Sequence, residues 1–573
     1  MPIHNTDIVK NFNKVADLLE IKGANPFRIR AYRNAARTIG SLSKSVADLI
    51  AEDGPLTDFS GIGKDLAEKI EEIVKSGTLS QLKALEKDLS PGLHDLLQIP
   101  GLGPKKVKAL YEELDIDDLS SLKKAAQNQK IRNLEGFGAK TEASILEEIE
   151  RYSRGKSRTK WVIVEEIARS YVDYLKKDNS VKDITVAGSY RRGQETVGDL
   201  DILVTVKRRS DIMAHFIDYE DVDRIISQGK TRSSVVLRTG LQVDLRVVPQ
   251  ISYGAALHYF TGSKAHNIAV RKLGQKKSLK INEYGVFKND ERRAGKTEKD
   301  VFKQVDLPYI EPELREDRGE IQAAQKNRLP DLIELADIRG DLHVHTNETD
   351  GREILEDMVS AAQERGYTYL AISNHSQHVS VDKGLNRKRL ARQIEKIDRL
   401  NSESGNFVIL KAIEVDILKD GSLDLPDDIL KELDVVIGAV HSDFKLSRQK
   451  QTERILRAMD NPSFNILAHP SGRLINARQA YEVDLEGLIK AAGERGCFME
   501  LNAHPDRLDL NDVFCKTAKD LGVKIAVSTD AHSVTSLDHM RLGIRQARRG
   551  WLAVDDVLNT RSWQELKKFL QRS

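Results

Sequence analysis

The most informative part of this chain is the stretch Gly188-Ser189-Tyr190-Arg191-Arg192-Gly193-Gln194-Glu195-Thr196-Val197-Gly198-Asp199-Leu200-Asp201. Its glycine-hinged turn is followed by an apolar strand that is predicted to run from Asp199 to Val206. Because side chains two residues apart project from the same face of a strand, Asp199 and Asp201 should lie side by side. Adjacent carboxylates repel each other unless a divalent cation offsets their charge. Mg²⁺, which also binds phosphate oxygens, fits this role best.

The same stretch carries groups suited to binding a triphosphate. Gly188-Ser189 offers backbone N–H groups and a hydroxyl, and Arg191-Arg192 offers positive charge. A third carboxylate, Asp244, lies in a second apolar strand, Val243-Asp244-Leu245-Arg246-Val247-Val248. Three carboxylates on neighbouring strands, holding two metal ions, would support in-line nucleotidyl transfer. The alternative, a solvated Asp-x-Asp pair on an edge strand, explains neither the Gly-Ser turn nor Asp244.

Length and composition limit the class of protein. A chain of 573 residues is too long for one core, so several domains are expected. No apolar run is long enough to span a membrane, and the polar start Met1-Pro2-Ile3-His4-Asn5-Thr6-Asp7 lacks a signal-peptide core. The two cysteines, Cys497 and Cys515, have no metal-site spacing. We therefore expect a cytoplasmic protein with reduced cysteines and no membrane partner.

Positive charge is concentrated in the middle of the chain. The formal net charge is +2, yet residues 151 to 300 contain 30 Lys and Arg against 19 Asp and Glu. A cationic region around a nucleotidyl-transfer site favours a polyanionic template as the partner. A merely solvated surface would also account for the charge, so composition supports this interpretation without establishing it.

The first 150 residues have an almost wholly helical pattern that contains three hairpins, Gly61-Ile62-Gly63, Gly101-Leu102-Gly103 and Gly136-Phe137-Gly138. Glycines without Cβ atoms let backbone N–H groups at a helix N-terminus approach a phosphate. A single Gly-x-Gly is usually a plain helix cap, but three resemble the helix-hairpin-helix element. That resemblance implies DNA binding without sequence readout. The implied contacts come from Gly61, Gly63, Gly101, Gly103 and Lys105.

Two further motifs follow Asp244, namely Tyr259-Phe260-Thr261-Gly262-Ser263 and Ile281-Asn282-Glu283-Tyr284. With the motifs above, in this order, residues 1 to 315 resemble a family X DNA polymerase, the group that includes DNA polymerase beta. The resemblance implies that Asp199, Asp201 and Asp244 hold Mg²⁺ (or Mn²⁺). It also implies a deoxynucleotide (dNTP) site formed by Ser189, Arg192, Gly198, Tyr259, Phe260, Gly262, Asn267 and Arg271.

The chain departs from the family pattern at two positions near this site. Lys264 stands where the family often has an acidic residue, and Gln242 stands where an arginine is common. Both departures affect the expected fidelity and metal affinity. The segment Glu68-Lys69-Ile70 matches the family's lyase segment, in which Lys69 would form a Schiff base with a 5′-deoxyribose phosphate. Since Asp65 replaces a second lysine and surface lysines are common, lyase activity stays an open alternative.

The last third of the chain places metal-binding side chains after apolar strands. Asp341-Leu342-His343-Val344-His345 puts two imidazoles on one strand, and further strands end in the same way. Strands alternating with amphipathic helices predict a parallel βα barrel with its site at the strand C-termini. A lone His is more often a core residue, but nine ligands make chance remote: His343, His345, Asp350, His375, Glu414, His441, His469, Asp530 and His532.

Nine nitrogen and oxygen ligands without cysteine suit two or three ions, Mn²⁺ (or Zn²⁺ or Fe). Such a cluster activates water and neutralises phosphate, which predicts phosphoester hydrolysis. The pattern resembles the PHP (polymerase and histidinol phosphatase) domain, and all nine ligand positions of that family are filled. The resemblance implies an active site.

The expected fold class is multidomain α and α/β, with a helical helix-hairpin-helix region, a nucleotidyltransferase-type palm with a mixed sheet, and a distorted PHP-type βα barrel. The predicted domains are an N-terminal helical domain (1–90), a fingers-type helix-hairpin-helix domain (91–150), the palm (151–250), a thumb-type nucleotide subdomain (251–315), a linker (316–335) and the PHP domain (336–573).

Together these resemblances predict a repair DNA polymerase that fills short gaps, fused to a Mn²⁺-dependent 3′-5′ exonuclease. AP endonuclease activity and 3′-end cleaning are left open. The expected partners are gapped or primed DNA and dNTPs, and we expect a monomer associated with the nucleoid. Three alternatives remain: a nucleotidyltransferase acting on RNA or small molecules, a PHP part that is a small-molecule phosphatase, and a DNA-binding scaffold.

Overall fold

We analysed a computed structural model of the chain. It describes residues 3, 5–40, 42, 46–51, 54–59, 61–88, 93–96, 99, 102–134, 136–139, 141–143, 145–146, 149, 158–207, 210–378, 384–403 and 405–572. The chain divides into two compact units, Met1–Ser157 and Arg158–Ser573. Within the described ranges, no helix combines the length and the apolar character needed to cross a lipid bilayer.

The N-terminal unit is helical, as its sequence pattern predicts. Its helices include α1 (Asn5–Ile21), α2 (Pro26–Gly40), α3 (Val46–Ala51), α4 (Lys64–Ser76), α5 (Ser80–Asp88), α6 (Leu93–Leu96), α7 (Pro104–Leu114) and α8 (Leu119–Gln127). Helix α4 begins directly after Gly63 and α7 directly after Gly103. The hairpin glycines therefore precede helix N-termini. Two apolar clusters stabilise the unit, one centred on α1, α2 and α4 and one on α7 and α8.

The second unit begins with a mixed sheet. Its elements are β1 (Thr159–Lys160), α9 (Trp161–Leu175), β2 (Val181–Val186), α10 (Gly188–Arg191), β3 (Thr196–Val197), β4 (Asp199–Val206), α11 (Ile212–Ile217), β5 (Val222–Gln228), β6 (Arg232–Leu237) and β7 (Gln242–Val247). Five strands form one sheet in the order β2-β4-β7-β6-β5. Only β4 and β7 pair in parallel within it, so the predicted mixed sheet is confirmed.

A smaller subdomain follows the sheet. It contains α12 (Tyr253–Thr261), α13 (Lys264–Lys276), β8 (Leu279–Asn282), β9 (Gly285–Lys288), β10 (Glu291–Ala294), α14 (Glu298–Gln304) and α15 (Glu320–Gln325). The segment predicted as a linker, 316–335, contributes Ile321, Ala324 and Leu332 to the same apolar cluster as Phe302. Since apolar side chains anchor it, this connection is a packed part of the second unit.

The C-terminal part is a parallel barrel. Its strands are β11 (Gly340–Val344), β12 (Tyr369–Ile372), β13 (Val408–Asp416), β14 (Val435–Ala439), β15 (Ile466–Leu467), β16 (Phe498–Asn502) and β17 (Ile525–Ser528). They pair in parallel and in sequence order, and a parallel bridge from Val344 to Ala531 brings the last strand back to the first. The surrounding helices are α16 (Leu355–Glu364), α17 (Arg387–Glu403), α18 (Asp427–Leu430), α19 (Arg448–Met459), α20 (Leu485–Arg495), α21 (Asp512–Asp520), α22 (Met540–Arg549) and α23 (Trp563–Leu570).

Candidate active sites

The three predicted polymerase carboxylates lie on the two parallel strands of the mixed sheet. Asp201 on β4 is directly opposite Asp244 on β7, and Asp199 is two residues earlier on β4. Burial, together with the charges of Asp199 and Asp244, raises the pKa of Asp201 to about 6. Such mutual repulsion is expected where a divalent cation belongs. The sheet thus brings all three carboxylates to one site.

Asp244 is hydrogen-bonded by two side chains that lie outside the motif of residues 243–248. Arg232, on the neighbouring strand β6, lies 2.9 Å from one carboxylate oxygen, and the Gln242 amide donates to the other at 3.1 Å. Arg246 lies 3.9 Å away. Gln242 stands at the position where the family commonly has an arginine, so Arg232 supplies the nearby positive charge from another strand.

The predicted triphosphate turn forms the short helix α10 and the loop that follows it. Gly188 has φ +64°, and a Cβ there would lie 2.9 Å from a carboxylate oxygen of Asp201, which explains why a glycine is needed. Arg158 lies beside two predicted phosphate contacts: its guanidinium is 3.5 Å from the Ser189 hydroxyl and 3.1 Å from where a Cβ of Gly198 would be. Sequence reasoning missed Arg158 because nothing in its neighbourhood marks it.

The two arginines of the turn have different surroundings. Arg191 makes two bonds to Glu298, at 2.9 and 2.6 Å. Burial opposes ionisation of Glu298, but the charges of Arg315 and Arg191 outweigh it and lower the pKa of that carboxyl to about 2. Arg191 is therefore committed to a structural ion pair. Arg192 instead lies 3.0 Å from Glu316 and donates to the Thr261 carbonyl at 2.6 Å.

The predicted sugar and base contacts lie together on α12 and α13. The Tyr259 and Phe260 rings meet edge to face with centroids 5.1 Å apart, and Arg246 from β7 lies over the Phe260 ring at 4.3 Å. Asn267 donates to the Tyr259 carbonyl at 2.7 Å, and Arg271 donates to the Asn267 carbonyl at 3.3 Å. Gly262, with φ +70°, ends α12 next to the Arg192 guanidinium.

The predicted DNA and lyase contacts belong to the N-terminal unit. Gly61 has φ +88°, while positions 63 and 103 have open space where a Cβ would be. Gly101 and the side chain of Lys105 lie outside the described residues. Lys69 forms an ion pair with Asp65 one turn earlier, and its ammonium lies 5.8 Å from the centre of the Tyr32 ring. Its role as a nucleophile stays a prediction.

The barrel brings its nine predicted ligands together at the strand C-termini. The ligand atoms of eight of these residues form three overlapping groups, and within each group all atoms lie within 4.8 Å of one another. The remaining imidazole, His469, lies 3.0 Å from a Glu414 oxygen. The groups are His345 with Asp350, His375 and His532; His343 with His345 and Asp530; and His375 with Glu414 and His441. Because His345 and His375 are each shared by two groups, the geometry fits two or three adjacent ions.

Unsatisfied buried atoms show that these residues fit a metal cluster. Within the described structure, Nε2 of His343, both ring nitrogens of His345 and Oε2 of Glu414 are buried without a hydrogen-bond partner. Nε2 of His343 lies 3.4 Å from Glu414 and 3.6 Å from Asp530 without hydrogen-bond geometry. Buried polar atoms are normally hydrogen-bonded, so ligands facing a common point are best explained by divalent cations between them.

The charges of the cluster are mutually dependent. Burial opposes the charged form of His375, but Glu414 and Asp350 outweigh it and raise its pKa to about 10. Burial and the neighbouring His532 and His375 lower the pKa of His345 to about 3. These opposite shifts favour a neutral His345 and a protonated His375, so a metal ion that binds His375 would displace a proton.

Further carboxylates orient the ligands and were missed from the sequence. Glu500 on β16 lies 2.7 Å from Nδ1 of His343 and accepts from the backbone N–H of His469 at 2.7 Å. Asp416 lies 3.1 Å from Nδ1 of His441. A carboxylate at the second ring nitrogen fixes the orientation of a metal-binding imidazole. An acidic residue inside the apolar strand Phe498–Asn502 was the available signal for Glu500.

Five regions of the chain match known protein families. Family models match as follows: helix-hairpin-helix domain (residues 3–79), SAM-like helix-hairpin-helix tandem (93–151), DNA polymerase beta palm (158–249), DNA polymerase beta thumb (256–316) and PHP domain (341–504).

Among curated proteins, a DNA polymerase/3′-5′ exonuclease PolX of Bacillus subtilis (strain 168) is 37% identical over 575 residues, covering 100% of both chains. A probable phosphatase of Thermoanaerobacter sp. (strain X514) is 29% identical over 235 residues, which is 38% of this chain and 89% of that protein. The full-length similarity and the matched polymerase and PHP regions agree with the geometry of both sites. This chain therefore belongs to the family X DNA polymerases that carry a C-terminal PHP domain.

Proposed function

We propose that this protein is a DNA-directed DNA polymerase that fills short gaps during DNA repair and trims 3′ ends with a 3′-5′ exonuclease in its PHP domain. One observation carries the polymerase assignment: Asp201 and Asp244 lie opposite each other on parallel strands, with Asp199 beside them. Family membership and the full-length similarity to the Bacillus subtilis relative support both activities.

In nucleotide addition, the chain's own residues bind and orient the substrates. Ser189 and Arg192 in the turn, with Arg158 beside it, would hold the triphosphate, and Tyr259-Phe260 with Gly262 would contact the sugar. An aromatic beside a glycine leaves little room for a ribose 2′-hydroxyl, which favours deoxynucleotides. Two Mg²⁺ ions (or Mn²⁺), held by the three aspartates, would neutralise the phosphates and acidify the primer 3′-hydroxyl.

In 3′-end trimming, the barrel would hold the terminal phosphodiester at the open side of its ligand cluster. Asp350 and His532 have partly exposed side chains, 28% and 34%, whereas His343 and Glu414 are buried. DNA would therefore approach from the Asp350 side. Bound Mn²⁺ ions (or Zn²⁺ or Fe) would supply activated water and charge neutralisation. Glu500 keeps the His343 imidazole oriented for this purpose.

A second candidate for the barrel is phosphomonoester hydrolysis, because three of the similar proteins are named as probable phosphatases. Equal rates on free phosphate monoesters and on DNA 3′ ends would favour it. AP endonuclease activity and 3′-end cleaning belong to the same site and are measured on DNA with abasic or blocked ends.

The partners proposed for the chain follow from its substrate. Gapped or primed DNA and dNTPs would bind to a monomer. A protein that repairs chromosomal DNA would act in the cytoplasm next to the nucleoid. Sedimentation with and without gapped DNA tests whether the chain is a monomer.

A labelled primer on gapped DNA, with dNTPs and Mn²⁺, tests the two activities together. Asp199→Ala combined with Asp201→Ala should abolish extension and preserve trimming. His343→Ala combined with His345→Ala should do the reverse. Asp223→Ala, at an exposed position of the same sheet, is the matched control and should preserve both. Loss of both activities in either double variant would contradict separate active sites.

A further inference from the structure

The last turn of α22, a helix of the barrel, lies against the triphosphate turn of the polymerase site. Arg549, in this last turn, has a buried side chain. Its guanidinium donates to the backbone carbonyl of Arg192 at 2.7 Å and to Asp512 at 2.6 Å, and it lies 3.1 Å from Glu316. A residue of the PHP domain therefore bonds directly to the backbone of a predicted dNTP contact.

Glu316 connects the two arginines. The same carboxylate oxygen accepts from Nε of Arg192 at 3.0 Å, from the Gln194 amide at 2.5 Å and from Arg549 at 3.1 Å. Arg549 therefore shares the negative charge of Glu316 with Arg192. If Arg549 were absent, Arg192 would be the only arginine hydrogen-bonded to this buried carboxylate among the described residues, and it would be held there more tightly.

A second contact fixes the same turn from the same helix. Gly193 has φ +68°, and a Cβ there would lie 2.7 Å from Cγ of Arg545. Arg545 in turn lies over the Trp161 ring, and the Trp161 indole donates to the Tyr190 carbonyl at 3.1 Å. Helix α22 therefore packs so closely on the turn that only a glycine fits at position 193.

We propose that Arg549 is a positioning residue for nucleotide binding. It fixes the backbone of Arg192 and offsets the charge of Glu316, so that the Arg192 side chain can leave Glu316 and contact the triphosphate. This inference rests on the proposed polymerase function. It makes the barrel a structural part of the dNTP site, in addition to its own proposed activity at the C-terminal ends of its strands.

The test is single-nucleotide insertion into gapped DNA by the full-length chain. Arg549→Met keeps an unbranched apolar side chain at this position and removes its donors. Since a charge-assisted bond to a buried group is lost, we expect KM for dNTP to rise roughly tenfold. The kcat value and the 3′-5′ exonuclease rate should stay within about twofold, because neither reacting centre is touched.

Arg541→Met is the matched control. Arg541 lies on the same helix and pairs with Glu165 of the palm at 2.5 Å, so this variant also removes an ion pair between barrel and palm. It should leave KM for dNTP unchanged. Arg549→Lys retains the buried charge and should recover part of the affinity, while Gly193→Ala should raise KM in the same direction as Arg549→Met.

Three results would overturn the inference. One is a KM for dNTP within twofold of the wild-type value in both Arg549 variants. Another is an equal rise of KM for dNTP in Arg541→Met, which would assign the effect to the packing of the barrel on the palm in general. The third is an equal loss of extension and exonuclease activity in both Arg549 variants, which would make Arg549 a folding residue only. Failure of the wild-type chain to extend a primer would instead refute the proposed function.

Discussion

Replacing Asp201 with asparagine should stabilise the metal-free protein while abolishing primer extension. The raised pKa of Asp201, about 6 against an ordinary value of 3.8, means that its ionised form is disfavoured in the folded protein. One pKa unit corresponds to about 1.4 kcal/mol, so at neutral pH the ionised side chain costs the folded state about 3 kcal/mol. Asparagine has nearly the same shape and no charge, and it relieves this cost.

The pH range determines whether Asp201→Asn is more stable than the wild type or equally stable. A group whose pKa is raised by folding contributes stability below its unfolded pKa and loses it as pH rises through its folded pKa. Wild type and Asp201→Asn should therefore be equally stable near pH 3.5. Between about pH 4 and pH 6 the free energy of unfolding of the wild type should fall progressively below that of the variant. The difference between the two should stay constant above about pH 7.

The assay is calorimetric unfolding in a chelator across this pH range. Unfolding entropy is about 2.1 cal/mol/K per residue, so 3 kcal/mol corresponds to roughly 3 °C in the Tm of a unit of this size. Mg²⁺ should then raise the Tm of wild type and not that of the variant. Asp223→Asn, an exposed change on the same sheet, is the control. A variant no more stable than wild type at pH 7.5, or a gap that does not vary with pH, would refute the reasoning.

Further predictions concern the barrel and are tested on purified protein. Glu500→Gln removes the carboxylate that orients His343 and should weaken Mn²⁺ binding or exonuclease activity about 10- to 100-fold, measured by metal titration, with extension unchanged. Because metal must displace the proton held by His375, apparent Mn²⁺ affinity should rise between pH 6 and pH 9, and calorimetry should detect proton release. Chelation should abolish both activities, and primer extension should return with Mg²⁺ alone, whereas trimming should require Mn²⁺ or a similar ion.

The clustering of the carboxylates and of the imidazoles could be predicted from the sequence because it depends on where the strands begin and end and on which face each side chain projects from. Asp199 and Asp201 share a face since side chains repeat every two residues along a strand. His343 and the other barrel ligands lie near or just beyond the ends of apolar strands, and the carboxyl ends of parallel strands meet at one edge. These rules are local, and the observed strands β4 and β11 lie where the patterns place them.

Supporting residues could not be predicted in the same way. Arg232 reaches Asp244 from a neighbouring strand, and Arg158 reaches Ser189 from a segment 31 residues earlier. Asp416 and Glu500 matter because each faces the second nitrogen of a particular imidazole. Their roles depend on pairing register and on side-chain direction, neither of which a composition or spacing pattern contains.

The sequence by itself determined the order of modules, the strands that carry the carboxylates and imidazoles, and the chemistry those groups can perform. Only the tertiary structure decided that residues 316–335 pack as part of the second unit and that Arg549 of the barrel contacts the backbone of Arg192. The physical reason is the separation along the chain of the residues that interact. Periodicity and ligand type act over a few neighbouring residues, whereas the hydrogen bond from the Arg549 guanidinium to the backbone carbonyl of Arg192, 357 residues apart, exists only once two folded surfaces meet.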